Sequence, residues 1–239
     1  MTKRKNRLKP KIILYCVLAF LVVGLSVTGL MLSGIMPHPR PVLKLNDQMT
    51  DSEFYNDISS GAHVCFIGDS ITHGNANGGV PWYAPIEDYI PGQIDNISGS
   101  GYFAPHIIGV LDTIPDADVY VIAIGTNDCR DPNITTDYYV KCLEIIHGSL
   151  SSRCPDAHFY YIAPWTFCNA DQDTAEHCDS FASALESFCN NTGSGFINST
   201  PYILDKLKPF PFFCMTDNLH PDSYRGVMLY SEAVLMTAQ

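Results

Sequence analysis

The sequence predicts an α/β fold: a parallel sheet of about five strands, covered by helices on both faces, preceded by one N-terminal transmembrane helix. Three observations predict it. From about residue 60, short and nearly continuous apolar runs alternate with longer amphipathic ones, the pattern of parallel strands buried on both faces. Residues Ile12 to Met36 are 25 positions without a charge. The composition, with 46% hydrophobic and 11% aromatic residues among 239, excludes disordered, collagenous and low-complexity chains.

The N-terminal segment comes first. A helix over 12–36 would be about 37 Å long, enough to cross a hydrocarbon core of about 30 Å with some tilt. A cleaved signal peptide is the rival reading. Its apolar region usually runs about 7–15 residues and ends at a small-x-small site. This run is longer, and Ser33-Gly34-Ile35-Met36 offers no clean site, so an uncleaved anchor is expected. Residues 1–11 hold six of the 14 basic residues and no acid, which places that tail in the cytoplasm and the rest of the chain outside. Pro37, Pro39 and Pro41 open a stretch, 37–58, that reads as a stiff tether. The body, 59–239, follows as one domain.

Beyond residue 11, eight basic residues face 25 acids. A body that acidic excludes nucleic acid as a partner, because phosphate neutralisation needs a basic face. Cys16 lies in the apolar run, and eight further cysteines are spread over the body. Eight cysteines allow 105 pairings, so connectivity cannot be read. No C-x-x-C occurs, and no spacing argues for zinc. Cys65 lies inside an apolar run and reads as a core residue. An outward-facing domain favours one to three disulfides among the others.

The body's elements follow in order. His63 to Ile67 is a buried strand, Gln93 to Ile97 a weaker one, and Asp118 to Ile124 a strong third. His158 to Ala163 is the fourth, and Gly195 to Asn198 the fifth. Between them Thr136 to Leu150 repeats apolar residues at helical spacing through Tyr139, Val140, Leu143, Ile146 and Leu150. Thr174 to Asn190 does so through Phe181, Leu185 and Phe188, and Ser223 to Ala238 closes the chain as a helix. Sheets of this kind place their sites at the carboxyl ends of the strands, so polar clusters there come first.

Gly68-Asp69-Ser70-Ile71-Thr72 directly follows strand one. A serine at a strand-to-helix turn exposes its hydroxyl, and its own N–H is free at the helix start. Both features suit a nucleophile that also stabilises an oxyanion. Asp69 or Ser70 capping the helix is the competing reading. No G-x-S-x-G occurs, which disfavours an α/β-hydrolase. Asn96-Ile97-Ser98-Gly99-Ser100-Gly101 follows strand two, where glycines let a backbone N–H approach a ligand or simply make a turn. Gly125-Thr126-Asn127-Asp128 follows strand three. Its amide is either an oxyanion donor or an Asx turn. Asp217-Asn218-Leu219-His220-Pro221 precedes the last helix. A spacing of three lets Asp217 fix the tautomer of His220, leaving the other ring nitrogen to take a serine proton. His73 and His106 follow the first two clusters, where helix-surface positions compete with a place in the pocket.

The order of these four clusters, after strands one, two and three and before the last helix, resembles the SGNH hydrolases, also called GDSL-type esterases. The resemblance runs from about residue 60 to the C-terminus and leaves the anchor outside it. It implies a flavodoxin-like α/β/α sandwich, with Ser70 as nucleophile and Asp217 and His220 as its triad partners. It also implies an oxyanion hole of the Ser70 N–H, Gly101 and Asn127. Gly99 competes with Gly101, which is preferred because it stands five residues after Asn96. Ile71-Thr72 is a common variant of the family's name-giving leucine form.

The expected activity is that of a membrane-anchored, extracytoplasmic serine esterase. It would work through an acyl-serine and need no metal or organic cofactor. An O-acetyl group on a glycan is the preferred substrate, and a lipid or lysophospholipid ester comes second. Trp82 and Tyr83 in the loop after Ser70, and Trp165 after strand four, suit stacking on sugar faces, but such rings are more often simple packing. An acyltransferase that delivers the acyl group to a sugar hydroxyl shares the same triad. A non-catalytic glycan-binding domain is the remaining alternative.

Overall fold

A computed structural model describes residues 40–208 and 213–238, together with Leu21 and Leu25. The chain divides into two units, residues 1–39 and 40–239. The expected basic tail and membrane span belong to the first unit and lie outside the described residues, save for the two leucines. Among the described residues no helix is long and apolar enough to cross a membrane.

The second unit alternates strands and helices. Helices α1 (Asp47–Thr50) and α2 (Glu53–Ser59) lead into β1 (Val64–Gly68), and α3 (Ser70–His73) follows it at once. Then come β2 (Ile94–Ser98), α4 (Ala104–Gly109), β3 (Val119–Ala123), α5 (Thr136–Arg153) and β4 (His158–Ile162). The chain continues through α6 (Gln172–Thr192), β5 (Gly195–Ile197), α7 (Thr200–Leu207) and α8 (Arg225–Thr237). The five strands are parallel in the order β2-β1-β3-β4-β5. Every expected strand lies within one or two residues of its place, and the three expected helices lie within three.

The period-two alternation of the strands sorts their side chains into two cores. Val64, Phe66, Val119, Val121, Tyr160 and Ile162 pack on one face, with α1, α2, α7 and α8. Cys65, Ile67, Tyr120, Ile122, Phe159 and Tyr161 pack on the other, with α4, α5 and α6. The result is a three-layer α/β/α sandwich. All five residues of β1 and of β3 are buried, which is why those strands read as unbroken apolar runs. Edge strand β2 is only half-buried, hence its weak signal.

The stretch read as a tether differs. From Arg40 it belongs to the domain: Phe54 and Ile58 are fully buried and Met49 nearly so. Arg40 pairs with Glu87 at 2.8 Å and Asp88 at 2.9 Å. Behind the three prolines an apolar pattern, Met49, Phe54 and Ile58, covers one face of the sheet. Of the eight cysteines of the body, Cys65 is a fully buried core residue, and Cys129 and Cys178 bring their sulfurs to 2.6 Å.

Candidate active site

In the order 2-1-3-4-5 the chain leaves β1 for β2 on one side and returns to β3 on the other, so a crevice opens at the carboxyl ends of β1 and β3. The turns after β1, β2 and β3 and the loop before α8 meet there.

Asp69 ends β1 in extended conformation, and its side chain accepts from the Ile71 N–H at 3.0 Å. The capping reading therefore holds for Asp69. It leaves Ser70 as the first residue of α3, where no turn lies below to occupy its N–H. Gly68 permits the tight passage: a Cβ there would stand 2.3 Å from Thr72 Oγ1 and 2.7 Å from the Ala123 carbonyl. Ser70 is 8% exposed, and its Oγ–H donates to His220 Nε2 at 2.8 Å.

His220 sits in a loop fastened at several points. Thr216 N–H donates to the His220 carbonyl and Asp222 N–H to the Cys214 carbonyl, both at 2.8 Å, and Cys168 N–H donates to the Asn218 carbonyl at 2.9 Å. The buried Tyr230 hydroxyl of α8 donates to the Leu219 carbonyl at 2.8 Å. His220 Nδ1–H donates to Asp217 Oδ2 at 2.8 Å, while Asp217 Oδ1 accepts the Leu219 and His220 N–H groups at 2.7 Å each. Partial burial works to raise the Asp217 carboxyl. The hydrogen bonds from the backbone and ring of His220 and from Leu219 outweigh it and hold the group below the ordinary carboxylate value. It is thus ionised where it faces the ring.

The turn after β2 runs Gly99 to Tyr102, with the Tyr102 N–H donating to the Gly99 carbonyl at 3.2 Å. Gly101 stands at its third position with φ +70°, the left-handed conformation that such a turn requires of glycine. Glycine is demanded here by backbone, since a Cβ would meet nothing within 4 Å. Asn127 lies in the turn after β3, and its Nδ2 donates to the Tyr102 carbonyl at 2.9 Å. This bond links the second and third clusters and leaves the other amide hydrogen unused by it. The bond to another turn replaces the Asx-turn reading.

Two buried carboxylates escaped the sequence reading as a pair. Asp128, fully buried, accepts the Ala104 N–H at 3.1 Å on both oxygens and so anchors α4. Burial pushes Asp69 and Asp128 each up to about 6. An acid between Asn and Cys at a strand end carries no sequence mark that separates a buried helix anchor from a surface residue.

In the aromatic loop the packing reading holds and the sugar-stacking reading does not. Trp82 is fully buried, Trp165 is 2% exposed and Tyr83 4%. Tyr83 stacks on Phe66 at 3.8 Å between ring centroids, and Trp82 meets Trp165 edge-on at 6.1 Å. These rings are core and present no face to a sugar. His73 is exposed on α3, and His106 Nδ1 accepts from the Phe103 N–H at 3.0 Å, so neither joins the Ser70–His220 contact.

The family model of the GDSL-like Lipase/Acylhydrolase family matches residues 66–224. No curated protein sequence matches the chain significantly. Among solved structures, an acetylxylan esterase from Geobacillus stearothermophilus superposes with a TM-score of 0.62 at 20% identity, covering 75% of this chain and 94% of that one. A protein named as a GDSL-like lipase from Parabacteroides merdae superposes with a TM-score of 0.64 at 17% identity, covering 74% and 95%. These neighbours share the three-layer fold. The matched span holds the serine turn, both glycine and asparagine turns and the Asp-x-x-His loop, and by it the chain belongs to the GDSL-like lipase/acylhydrolase family of serine ester hydrolases.

Proposed function

We propose that the chain is a membrane-anchored, outward-facing esterase that removes an O-acetyl group from a glycan through an acyl-serine on Ser70. His220 Nε2 takes the Ser70 proton as Oγ attacks the ester carbonyl. Asp217 keeps the other ring nitrogen protonated and stabilises the imidazolium. The tetrahedral oxyanion is held by the Ser70 and Gly101 N–H groups and the Asn127 amide. The imidazolium then protonates the departing sugar oxygen. Water, deprotonated by the same ring, releases the acid.

The observation that carries this reading is the unbroken chain from Ser70 Oγ to His220 to Asp217, with 2.8 Å at each link. A domain kept only to bind glycan has no need of that relay. The acetyl-glycan preference draws support from the likeness to an acetylxylan esterase and from the outward address read from the charge asymmetry of the N-terminus. Trp82, Tyr83 and Trp165 lend it none.

The test is a screen of the full-length protein and Ser70→Ala on acetylated glycans, lysophospholipids and short p-nitrophenyl esters, with products identified. Acetate release from glycan by the wild type alone is the expected result. Glycan acylated at a new hydroxyl would show transfer, and turnover of lysophospholipid alone would overturn the substrate class.

A further inference from the structure

Cys129 lies in the turn 126–130 that carries Asn127, and Cys178 lies two turns into α6. Their side chains are 1% and 2% exposed. Their sulfurs stand 2.6 Å apart, closer than two unbonded sulfur atoms pack and approaching the roughly 2.0 Å of a covalent pair. No other pair of cysteine sulfurs among the described residues is hydrogen-bonded. The backbone around the pair is also settled, because the Cys129 N–H already donates to the Gly125 carbonyl at 2.9 Å. The geometry points to a disulfide between Cys129 and Cys178 that fastens the oxyanion turn to α6.

The chemistry is a two-electron thiol–disulfide exchange. The thiolate of one cysteine breaks the S–S bond of a disulfide oxidant, forming a mixed disulfide and expelling one thiolate. The other cysteine then gives up its proton and attacks the first cysteine's sulfur, expelling the second. Two protein thiols are oxidised, one oxidant disulfide is reduced to two thiols, and these take up the two protons. Since both sulfurs are buried, the exchange belongs to folding, before α6 closes over the turn.

The two residues are 49 apart in sequence, and the segment between them contains α5 and β4. A bond there removes much of the freedom of that segment in the unfolded chain. It also ties down a position two residues from Asn127. The disulfide is inferred from packing, so it stands or falls separately from ester hydrolysis.

The full-length protein is refolded with oxidised and reduced glutathione, alkylated while denatured, and digested without reduction. The expected map contains one cross-linked pair, the peptide of Cys129 joined to that of Cys178, which dithiothreitol separates. Refolding in dithiothreitol instead of the glutathione pair lowers the Tm by roughly 5–15 °C and leaves the Tm of Cys178→Ser unmoved. Recovery of both residues alkylated as free thiols, or joined to other cysteines, overturns the assignment. That map needs only the wild type, so a poorly folding variant does not weaken it.

Discussion

Asp69 caps the helix that carries Ser70, yet it is fully buried, and that combination has a measurable cost. Burial raises its carboxyl from 3.8 to about 6, against the lowering influence of the Ile71 N–H, the Thr126 hydroxyl and the charge of His220. Between pH 4 and 6 the native state therefore holds a proton that the unfolded chain has released. Stability falls as pH rises wherever the native state binds more protons. The loss is complete above the folded value of about 6. About two pH units at 1.36 kcal/mol each give about 3 kcal/mol. Asp69→Asn keeps an oxygen for the Ile71 N–H and carries no titratable group, so it removes this term. Urea unfolding of both proteins from pH 4 to 7.5 reads it directly. The stability of the variant relative to wild type should rise by about 3 kcal/mol across that window. Asp128 contributes a slope of the same sign in both proteins, because it is raised to about 6 chiefly by burial. A stability difference independent of pH would refute the assignment of this cost to Asp69.

Ser70→Ala and His220→Ala should each remove nearly all turnover, and the double variant should be little worse, because the two act as one unit. Asn127→Ala should lower kcat roughly 10²–10³-fold with little change in KM, as an oxyanion donor works mainly in the transition state. Asp217→Asn should cost roughly 10²–10⁴ in kcat through the wrong His220 tautomer, with the circular dichroism spectrum unchanged. Trp82→Ala should destabilise by about 3–5 kcal/mol and leave KM for a glycan ester unchanged below its melting temperature, since the ring is core; a selective rise in KM would return it to a sugar platform. Protease added to intact cells should digest the body and leave a short membrane-bound stub, and protection of the body would reverse the orientation.

Much of the fold was legible because the strands of this sheet are buried on both faces. DVYVIAI at 118–124 and HVCFI at 63–67 have no other reading. The site was legible because all four clusters stand where a parallel sheet presents its ends. Short elements were not. Helix α3 has four residues and α1 four, too few for any periodicity. The segment 40–58 follows a run of prolines and holds the buried apolar residues Leu43, Met49, Phe54 and Ile58. Trp82, Tyr83 and Trp165 show the limit more sharply. An aromatic residue in a loop beside a catalytic serine reads the same whether it faces a substrate or the core. Only the packing of Tyr83 on Phe66 and of Trp82 on Trp165 decides it. The carboxylates of Asp69 and Asp128 were hidden for a related reason, since burial of a charge is a property of the assembled turns.

The central claim is that Ser70 is the residue that bonds to substrate. A fluorophosphonate that phosphonylates activated serines, followed by peptide mass analysis, tests it most directly. Ser98 and Ser100, in or beside the glycine turn, serve as internal controls. The predicted result is a single adduct on the peptide containing Ser70, formed in wild type and lost in His220→Ala. An adduct on Ser98 or Ser100, or labelling of Ser70 undiminished without His220, would contradict it.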